Sequence, residues 1–511
     1  MKLKNWFAMG DSASVWDGII NSCLYASVFL VPVLFLPWTN YQVIWNKQFF
    51  LVLFVFLAFI AWLIKGIVKG ELAYVKNLAN VPLLALVVIT AISAWVVASR
   101  SLGFFGLTGA EVDTFINVLT FALLFLLLAS SSVNENLLAV LFAVSSALVL
   151  LISLLQFSGA WIFPWAFTKL ATFNTIGTTN ALAIFLGLVF IMIFAAIYWR
   201  FLINKQSGGQ VGRILLFIFL AALFVTLVMM HFWAPFLGIV IAMLTLIFLE
   251  LKIKKEQSRF IILLYGVLAV SLFFVLGNFI PFLNFGFLPS FQLPLEIVPS
   301  LSSSWSVARA TFQEGWTKFL FGSGPSTFQY QYGLYKDISL NATNFWGTRF
   351  VQGINAVMTH LVNLGALGTI AWLLFLALLL FEGVKSLLNG HRPVISLGLI
   401  YLILMLFLYP QNFVLYFLLF VLAALLIKSE HKEGVIAIAN TPIRTFVFSL
   451  LLMILIMISV STIYVQIERY IGSVYFYSGL QGFNRDGDVE KALSKLTGAL
   501  DFDSRNDFYL Q

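Results

Sequence analysis

Long apolar runs alternate with short polar connections along most of the chain. Within a run, apolar residues follow one another without the polar alternation of a membrane β-barrel strand, so the runs predict α-helices. A helix needs about 20 apolar residues to cross the hydrocarbon core of a bilayer. By that length the sequence predicts about thirteen spans, at residues 16–37, 48–64, 79–98, 114–131, 137–157, 178–199, 214–231, 234–251, 260–280, 353–382, 394–409, 413–427 and 445–466.

The composition agrees with this pattern and excludes several other classes of protein. Of the 511 residues, 61% are hydrophobic and 10% are charged, whereas an ordinary soluble domain has about 25% charged residues. A water-soluble globular protein, a disordered chain, a disulfide scaffold and a nucleic-acid-binding protein are therefore excluded. Cys23 cannot form an internal disulfide, because the chain has no second cysteine. The predicted fold class is an all-α polytopic membrane protein.

The net charge of +8 reflects how Lys and Arg are distributed between the two sides of the membrane. With the amino terminus in the cytoplasm, the inner connections hold 17 of the 29 Lys and Arg residues, the outer connections hold 7 and the tail holds 5. This excess follows the positive-inside rule. The sequence thus predicts a cytoplasmic amino terminus and, because the span count is odd, an outer carboxyl-terminal tail. The first span lacks a small-residue cleavage site, so it does not read as a cleavable signal peptide.

Two long segments interrupt the short connections. They are an outer loop at about residues 281–352 and the tail at 467–511. The predicted domains are therefore a transmembrane domain, 1–466, that contains the outer loop, and an outer tail. Long segments outside the spans are usually functional, so we look for chemistry there.

The outer loop combines many aromatic residues with few charges. Residues 304–319 predict one amphipathic helix with an apolar stripe of Trp305, Ala308, Phe312 and Trp316. Tryptophans suit a cap that lies on the membrane–water interface. We therefore expect a partly structured cap rather than an open loop.

A glycine-rich turn follows that helix. In FGSGPSTF, residues 321–328, Gly322 and Gly324 precede Pro325, which predicts a tight non-helical turn. The backbone amides of such a turn can bind an anion, so both glycines are candidate substrate-binding residues. The alternative interpretation is a plain loop corner.

Arg309 and Arg349 are the two arginines of the outer loop. A guanidinium matches phosphate with two parallel hydrogen bonds, and Arg349 precedes the next span at the height of a lipid pyrophosphate headgroup. Lys318 is a further basic candidate for substrate binding. The alternative interpretation is that such side chains anchor helix ends at the interface.

Several strings occur in a characteristic order. They are SLGFFGLTGAEVDTF at 101–115, FNTIGTTNALA at 173–183, WSVARATF and FGSGPSTF in the outer loop, and FWGTRF before INAVMTHLVNLGALGTIAWL at 354–373. Together with one long outer loop before the last few spans, they resemble the O-antigen ligase and O-antigen polymerase superfamily of bacterial inner-membrane proteins. The resemblance covers most of residues 40–430.

The resemblance implies a GT-C-like fold and a metal-independent glycosyltransferase without a cofactor, in the bacterial inner membrane. Such proteins take a glycan from an undecaprenyl-pyrophosphate carrier on the outer face and attach it to a lipid, glycan or protein acceptor. It further implies that arginines, here Arg309 and Arg349, bind the pyrophosphate leaving group. A histidine at the top of the span after the loop would assist the acceptor hydroxyl.

The chain departs from the family pattern at that histidine. Alignment on Gly365 and Gly368 places Asn355 at the family's Asn and Ile354 at the family's His. Asn355 is therefore a candidate substrate-binding residue. His360 lies six residues further along, about 9 Å deeper, and is the candidate catalytic histidine. The alternative is a histidine that is hydrogen-bonded inside the helix bundle.

A second departure concerns a short hairpin. HFWAP at 231–235 stands where the family has Ser-Arg-Gly, so His231 replaces an expected arginine and is a candidate substrate-binding residue. Among the acidic residues, Glu314 is a second choice as general base, with an exposed helix carboxylate as the alternative. Glu111 and Asp113 form a pair that is a weak signal for a divalent metal, and no metal site is predicted.

The tail is more charged and its apolar residues become periodic. It predicts two helices with a turn at 486–488 and resembles the start of a tetratricopeptide repeat array. Ala492 and Ala499 stand seven apart, and Phe476 and Phe483 supply the large aromatic residues. One repeat cannot bury its own face, so we expect either a longer array or docking on the membrane domain. The alternative is a simple helical cap.

Three functions remain open from the sequence. The first is a glycosyltransferase of the ligase or polymerase type. The second, favoured by the unmatched histidine and arginine, is a non-catalytic relative that binds lipid-linked glycan and presents the tail to a protein partner. The third, a lipid or polysaccharide transporter, is disfavoured because the two halves of the chain show no internal repeat. The expected partners are the lipid-linked glycan, its acceptor, membrane lipid and a protein at the tail, but no nucleic acid.

Overall fold

A computed structural model of the chain describes residues 12–97, 99–106, 111–199, 210–253, 260–280, 290–291, 293–294, 296–428, 433–437 and 442–510. These residues form a helix bundle with one small antiparallel sheet. The strands are β1 (Glu71–Val75) and β2 (Glu433–Ala437). The helices of the described part are α1 (Ser12–Val33), α2 (Ile44–Lys69), α3 (Asn80–Val96), α4 (Arg100–Phe105), α5 (Phe115–Ser130), α6 (Glu135–Phe157), α7 (Thr179–Ile197), α8 (Gln210–Met230), α9 (Trp233–Ile253), α10 (Phe260–Phe279), α11 (Leu301–Gln313), α12 (Trp316–Phe321), α13 (Phe328–Tyr335), α14 (Ala356–Leu388), α15 (Pro393–Leu408), α16 (Phe413–Lys428), α17 (Pro442–Asp486) and α18 (Val489–Phe502).

The apolar helices coincide with the predicted spans. Within the described residues, nine helices are long and apolar enough to cross a membrane, namely α1, α2, α6 to α10, α14 and α17. Four shorter apolar helices, α3, α5, α15 and α16, match the remaining predicted spans. The all-α, multi-pass membrane architecture is confirmed at this level. The number of crossings and a GT-C-like arrangement stay predictions.

Two helices occupy the centre of the bundle. Nearly every side chain of α7 and α16 is buried, because α7 packs on α8, α9 and α15 while α16 packs on α5 and α15. A helix that is apolar on all sides is expected in such a place. Phe420 of α16 stacks on Phe121 of α5 and on Phe375 of α14, with ring centroids 5.4 and 5.5 Å apart.

The ends of the helices sort into two groups. At one end, β1 pairs with β2, Arg392 forms an ion pair with Glu135 at 2.8 Å, and the Lys428 ammonium donates to the Val133 carbonyl. All of these segments lie on predicted inner connections. If successive spans cross the membrane in alternating directions, all inner connections must lie at one end of the bundle, as these segments do. Which end faces the cytoplasm stays a prediction.

At the other end, the outer loop forms a cap of three short helices, α11 to α13. Here the predicted single helix over 304–319 is wrong, because Gly315 takes a φ of +142° and separates α11 from α12. The predicted apolar stripe is correct at Ala308, which is buried, and wrong at Trp305 and Trp316, which are exposed. Beside Ala308, α11 buries Ser304, Val307 and Thr311. Small and β-branched side chains allow α11 to pack closely on α14, whereas the tryptophans face outward.

The tail is continuous with the last span. α17 runs without a break through residue 467, the predicted domain boundary, and ends at Asp486. The chain then turns at Gly487, which has a φ of +66°, and Asp488 caps α18 by accepting from the Lys491 amide at 3.0 Å. The turn lies where the sequence predicts it. Whether the segment belongs to a repeat array stays a prediction.

Small residues bring the two tail helices together. Ala492 and Ala499 of α18 are buried against two glycines of α17. A Cβ added at Gly479 would lie 3.3 Å from the Ala492 carbonyl oxygen, and one added at Gly472 would lie 3.2 Å from the Ala499 carbonyl oxygen. Of the two predicted aromatic residues, Phe476 is buried whereas Phe483 is exposed. The close approach of the two helices explains why both carry small residues at a spacing of seven.

Candidate functional site

The glycine turn of the cap docks on a kink in α14. Gly365 has a φ of +65° and interrupts the helix, and the amides of Ser323 and Gly324 donate to the carbonyls of Val362 and Asn363 at 2.8 and 3.0 Å. A Cβ added at Gly322 would lie 2.4 Å from the Asn363 carbonyl carbon. Glycine is thus required here by close backbone packing.

That packing bears on the predicted anion site. The Gly322 amide donates to the Lys318 carbonyl at 2.9 Å, so this amide and those of Ser323 and Gly324 all have protein acceptors. Gly324 is likewise enclosed, since its Cβ would lie 2.5 Å from Val97. The geometry gives both glycines a packing role. Their role in substrate binding stays a prediction.

A buried carboxylate lies beneath the turn. Asp113 accepts from the Ser326 hydroxyl at 3.1 Å and from the Asn363 side-chain amide. Burial raises the pKa of Asp113, although these hydrogen bonds oppose the shift. We call Asp113, Ser326 and Asn363 the Asp113 network. It joins the outer connection at residues 99–113, the cap and α14.

His360 lies about one helical turn before Asn363 on α14, inside the bundle. Its imidazole is 2% exposed, and its Nε2 lies 3.2 Å from the Tyr416 hydroxyl and 3.0 Å from the Gln411 side-chain nitrogen. Its ring packs against Trp372 at 4.6 Å. This environment is that of a histidine held between helices. A catalytic role for His360 stays a prediction.

Asn355 is the N-cap residue of α14, and Ile354 precedes it. Asn355 caps the helix by accepting from the Met358 amide at 3.0 Å, and its side-chain nitrogen donates to the Phe407 carbonyl at 2.9 Å. The Ile354 amide donates to the Ser304 hydroxyl at 3.0 Å. Asn355 and Ile354 thus lie at the junction of α14, α11 and the end of α15. Asn355 has a complete capping role there, beside any role in substrate binding.

The candidate basic residues of the cap are accessible. Arg309 and Arg349 are exposed, and Lys318 is half-buried. Within the described residues, neither arginine has a carboxylate at ion-pair distance. Each arginine is next in sequence to an apolar residue of one small hydrophobic core. Ala308 precedes Arg309 and Phe350 follows Arg349, and both pack with Val307 and Tyr332. Both arginines therefore project from the same compact part of the cap.

His231 lies away from this group, between α8 and α9. It has a φ of +53°, and its ring packs on Phe274 with centroids 5.8 Å apart. Burial lowers the pKa of His231, so its imidazole is neutral at pH 7 and does not replace the charge of an arginine.

The acidic candidates separate into buried and exposed groups. Glu111 is buried, as is Asp113. Glu314 is exposed at the end of α11 and accepts from the Tyr335 hydroxyl at 3.0 Å, which raises the pKa of Tyr335. Within the part of the chain that the structure describes, no three His, Cys, Asp or Glu side chains come together as a metal site would require.

One carboxylate was not found from the sequence. Glu296 accepts from the Tyr409 hydroxyl, and Tyr409 also lies 2.6 Å from the Thr178 hydroxyl at the start of α7. Burial and the neighbouring Glu296 raise the pKa of Tyr409. The contact ties the beginning of the cap to the turn between α15 and α16. The sequence does not indicate this contact, because its two residues are 113 positions apart along the chain.

A second missed residue is Arg469, which the sequence counts only among the cations of the tail. Its guanidinium donates to Asp503 Oδ2 at 3.0 Å, to the Phe105 carbonyl at 3.0 Å and to the Gly106 carbonyl. Both charged side chains are buried, at 4% and 8% exposure. We call this group the Arg469 clamp. It fastens the end of α18 and the end of α4 to α17.

No protein-family model matches this chain, and no curated protein matches it.

Proposed function

We propose that the protein binds the pyrophosphate headgroup of a lipid-linked glycan at the cap, through Arg309 and Arg349, and transfers the glycan to an acceptor hydroxyl. The observation that carries the proposal is the pair of exposed guanidinium groups, without carboxylate partners in the described residues, on one compact part of the cap. The resemblance of the surrounding strings to O-antigen ligases and polymerases supports the same ligand.

The membrane geometry is consistent with such a ligand. Trp305 lies one turn before Arg309 on the exposed face of α11, and Trp346 is exposed three residues before Arg349. Tryptophans concentrate at the membrane–water interface, where the phosphates of lipids lie. A guanidinium beside each of them would meet a headgroup while the lipid tail remains in the bilayer.

In the proposed transfer, the acceptor oxygen forms a bond with the anomeric carbon of the glycan. The bond between that carbon and the pyrophosphate oxygen breaks, and lipid pyrophosphate leaves. The arginines stabilise the negative charge that develops on the leaving group. Glu314 is the exposed carboxylate five residues after Arg309, and we propose that it receives the proton of the acceptor hydroxyl.

A second function is favoured by one observation. His360 is buried among Tyr416, Gln411 and Trp372, so it does not meet an acceptor at the surface of the cap. A chain of this kind can bind the lipid-linked glycan without transferring it. In that case the cap would retain the glycan for another protein.

Binding and transfer are separated by one set of variants. The full chain in nanodiscs is given a glycan linked to undecaprenyl pyrophosphate, together with candidate acceptors, and both bound donor and product are measured. Arg309→Gln and Arg349→Gln should each weaken donor binding about tenfold, because each removes one charge-assisted contact to phosphate. Glu314→Gln should leave binding unchanged and lower product formation.

The control is Arg485→Gln, at an exposed arginine of the tail that forms an ion pair with its neighbour Asp486. Unchanged binding in both cap variants would contradict the proposal. Donor binding without product in the wild-type chain would assign the second function. Transfer that is lost on chelation of divalent metal would contradict a metal-independent reaction.

A further inference from the structure

A groove lies between the outer connection at residues 99–113 and the tail. It consists of two adjoining cavities of about 580 and 460 Å³. Both are lined by Trp95 at the end of α3, by Arg100 and Ser101 of α4, and by Arg505 after α18. The outer connection at residues 99–113 and the tail are about 400 residues apart in sequence, so only the fold brings these side chains together.

The Arg469 clamp sets the walls of this groove. Arg469 holds Asp503, two residues before Arg505, and the carbonyls of Phe105 and Gly106, which end α4. Its guanidinium also lies over the ring of Phe105, 5.3 Å from the centroid. The backbone on both sides of the groove is therefore fixed by one buried side chain. Arg100 and Arg505 project from these fixed walls.

The two lining arginines are exposed and have like charge. The Arg100 guanidinium lies over the Trp95 ring, 4.3 Å from its centroid. Within the described residues, neither Arg100 nor Arg505 has a carboxylate at ion-pair distance. Glu468 lines the second cavity, where its carboxylate accepts from the Tyr464 hydroxyl. Two unpaired guanidinium groups in one groove repel each other, and an anion between them would remove that repulsion.

The groove also lies at a suitable depth. Trp95 is in the last turn of the apolar helix α3 and is 60% exposed, which is typical of a tryptophan at the membrane–water interface. Arg100 follows five residues later, beyond the predicted end of this span at residue 98. Lipid phosphates occupy this layer, and soluble phosphates reach it from water.

We propose that this groove is a binding site for a phosphate-bearing anion, held between Arg100 and Arg505. The ligand is either the headgroup of an anionic membrane lipid or a soluble phosphate compound. The guanidinium groups donate to the phosphate oxygens, and Trp95 holds Arg100 in place through the ring contact. The site does not depend on the function that we propose for the cap.

The test uses the full chain with two probes. In the first arm, nanodiscs of phosphatidylcholine contain a minor fraction of phosphatidylglycerol, and native mass spectrometry counts the phosphatidylglycerol that stays bound. In the second arm, inorganic pyrophosphate is titrated calorimetrically into the chain in phosphatidylcholine nanodiscs. Arg100→Gln and Arg505→Gln are compared with the control Arg485→Gln and with Arg309→Gln at the cap.

We expect each groove variant to weaken binding about tenfold in at least one arm. Loss with phosphatidylglycerol alone identifies a lipid headgroup, loss with pyrophosphate alone identifies a soluble phosphate, and loss in both identifies a general phosphate site. The proposal is overturned if Arg100→Gln and Arg505→Gln match Arg485→Gln in both arms, or if only Arg309→Gln lowers binding. A result that overturns the groove proposal does not bear on donor binding at the cap, which is tested with other variants, so the two proposals can fail separately.

Discussion

The tail junction and the cap both carry arginines at the same end of the helix bundle, but in opposite environments. Arg469 at the tail junction is 4% exposed and is satisfied by Asp503 and two carbonyls. Arg309 and Arg349 at the cap are exposed. A buried guanidinium that has all its partners within the chain holds structure together. An exposed one whose neighbours leave it unpaired retains its donors for a ligand.

The same contrast applies to carboxylates. Asp113 is enclosed by Ser326 and Asn363, whereas Glu314 is exposed beside Arg309 in sequence. Scarcity of charge is therefore not by itself a sign of function in this chain. Burial and pairing divide the scarce charges into those that hold loops in place and those that face outward. Substitutions at both kinds of residue test that division.

Arg469→Met should have the largest effect on stability. It leaves the Asp503 carboxylate buried with the Asn506 side-chain amide but without its cationic partner, and loss of one member of a buried ion pair costs about 3 to 5 kcal/mol. We expect the tail to detach from the outer connection at residues 99–113. Hydrogen exchange of α18 and thermal unfolding of the detergent-solubilised chain measure the loss. Equal exchange rates in Arg469→Met and in the exposed control Arg485→Met would show that Arg469 is no clamp.

Gly322→Ala should follow. The residue has a φ of +74°, and its Cβ would collide with the backbone of α14 at Asn363. The unfavourable backbone conformation and the overpacking together cost about 2 to 4 kcal/mol. Gly333→Ala in α13 is the matched control, because an added Cβ there meets no atom within 4 Å. We expect the control to be neutral or slightly more stable in thermal unfolding. A Gly322→Ala chain as stable as Gly333→Ala would contradict the close docking of the turn.

Asp113→Ala should cost about 1 to 3 kcal/mol, because it leaves the buried Asn363 amide without its acceptor. Asp113→Asn, which keeps the shape, tests the charge. Burial raises the pKa of Asp113 in the folded chain above its unfolded value of about 3.9. The folded state then binds more protons, so the wild type loses stability as the pH rises from about 4 through the raised pKa.

The asparagine side chain of Asp113→Asn does not bind or release a proton in this pH range. Its stability relative to the wild type should therefore improve as the pH rises from about 4 to 8. Thermal unfolding of both chains across this range measures the difference. A constant difference at every pH would mean that Asp113 does not titrate with a raised pKa.

Arg309→Gln and Arg349→Gln should have the smallest effect on stability, within about 0.5 kcal/mol, since both side chains are exposed. Chemical unfolding in detergent provides the measurement. A loss comparable to that of Arg469→Met would place these arginines among the structural residues and would remove the contrast between cap and tail junction.

The local features of this fold could be predicted from the sequence, because they depend on runs of neighbouring residues. The spans follow from apolar length, and the turn at Gly487 follows from its flanking aspartates. The helix break at Gly315 was missed because the amphipathic pattern continues across it. Hydrophobicity places Trp305 and Trp316 in the buried stripe beside Ala308, whereas close packing on α14 buries Val307 with Ala308 and leaves the tryptophans exposed.

The long-range features could not be predicted in this way. Asp113 and Asn363 are 250 residues apart, and Arg469 and Phe105 are 364 apart. Nothing in the local sequence marks either pair, because a buried hydrogen bond needs only one polar residue at each of two distant positions. The motif strings indicated the segments that meet at the cap, but not which of their polar groups are buried.

The most direct test of the account is the thermal unfolding of the full chain with and without the undecaprenyl-pyrophosphate-linked glycan. A ligand that binds only the folded state stabilises it by about 2.7 kcal/mol at one hundred times its Kd. We predict that the wild type and Arg469→Met differ without ligand, and that the wild type and the Arg309→Gln/Arg349→Gln double variant unfold at the same temperature. On addition of the glycan donor, the unfolding temperature of the wild type should rise and that of the double variant should not. An equal rise in both would contradict the assignment of the exposed cap arginines to phosphate binding.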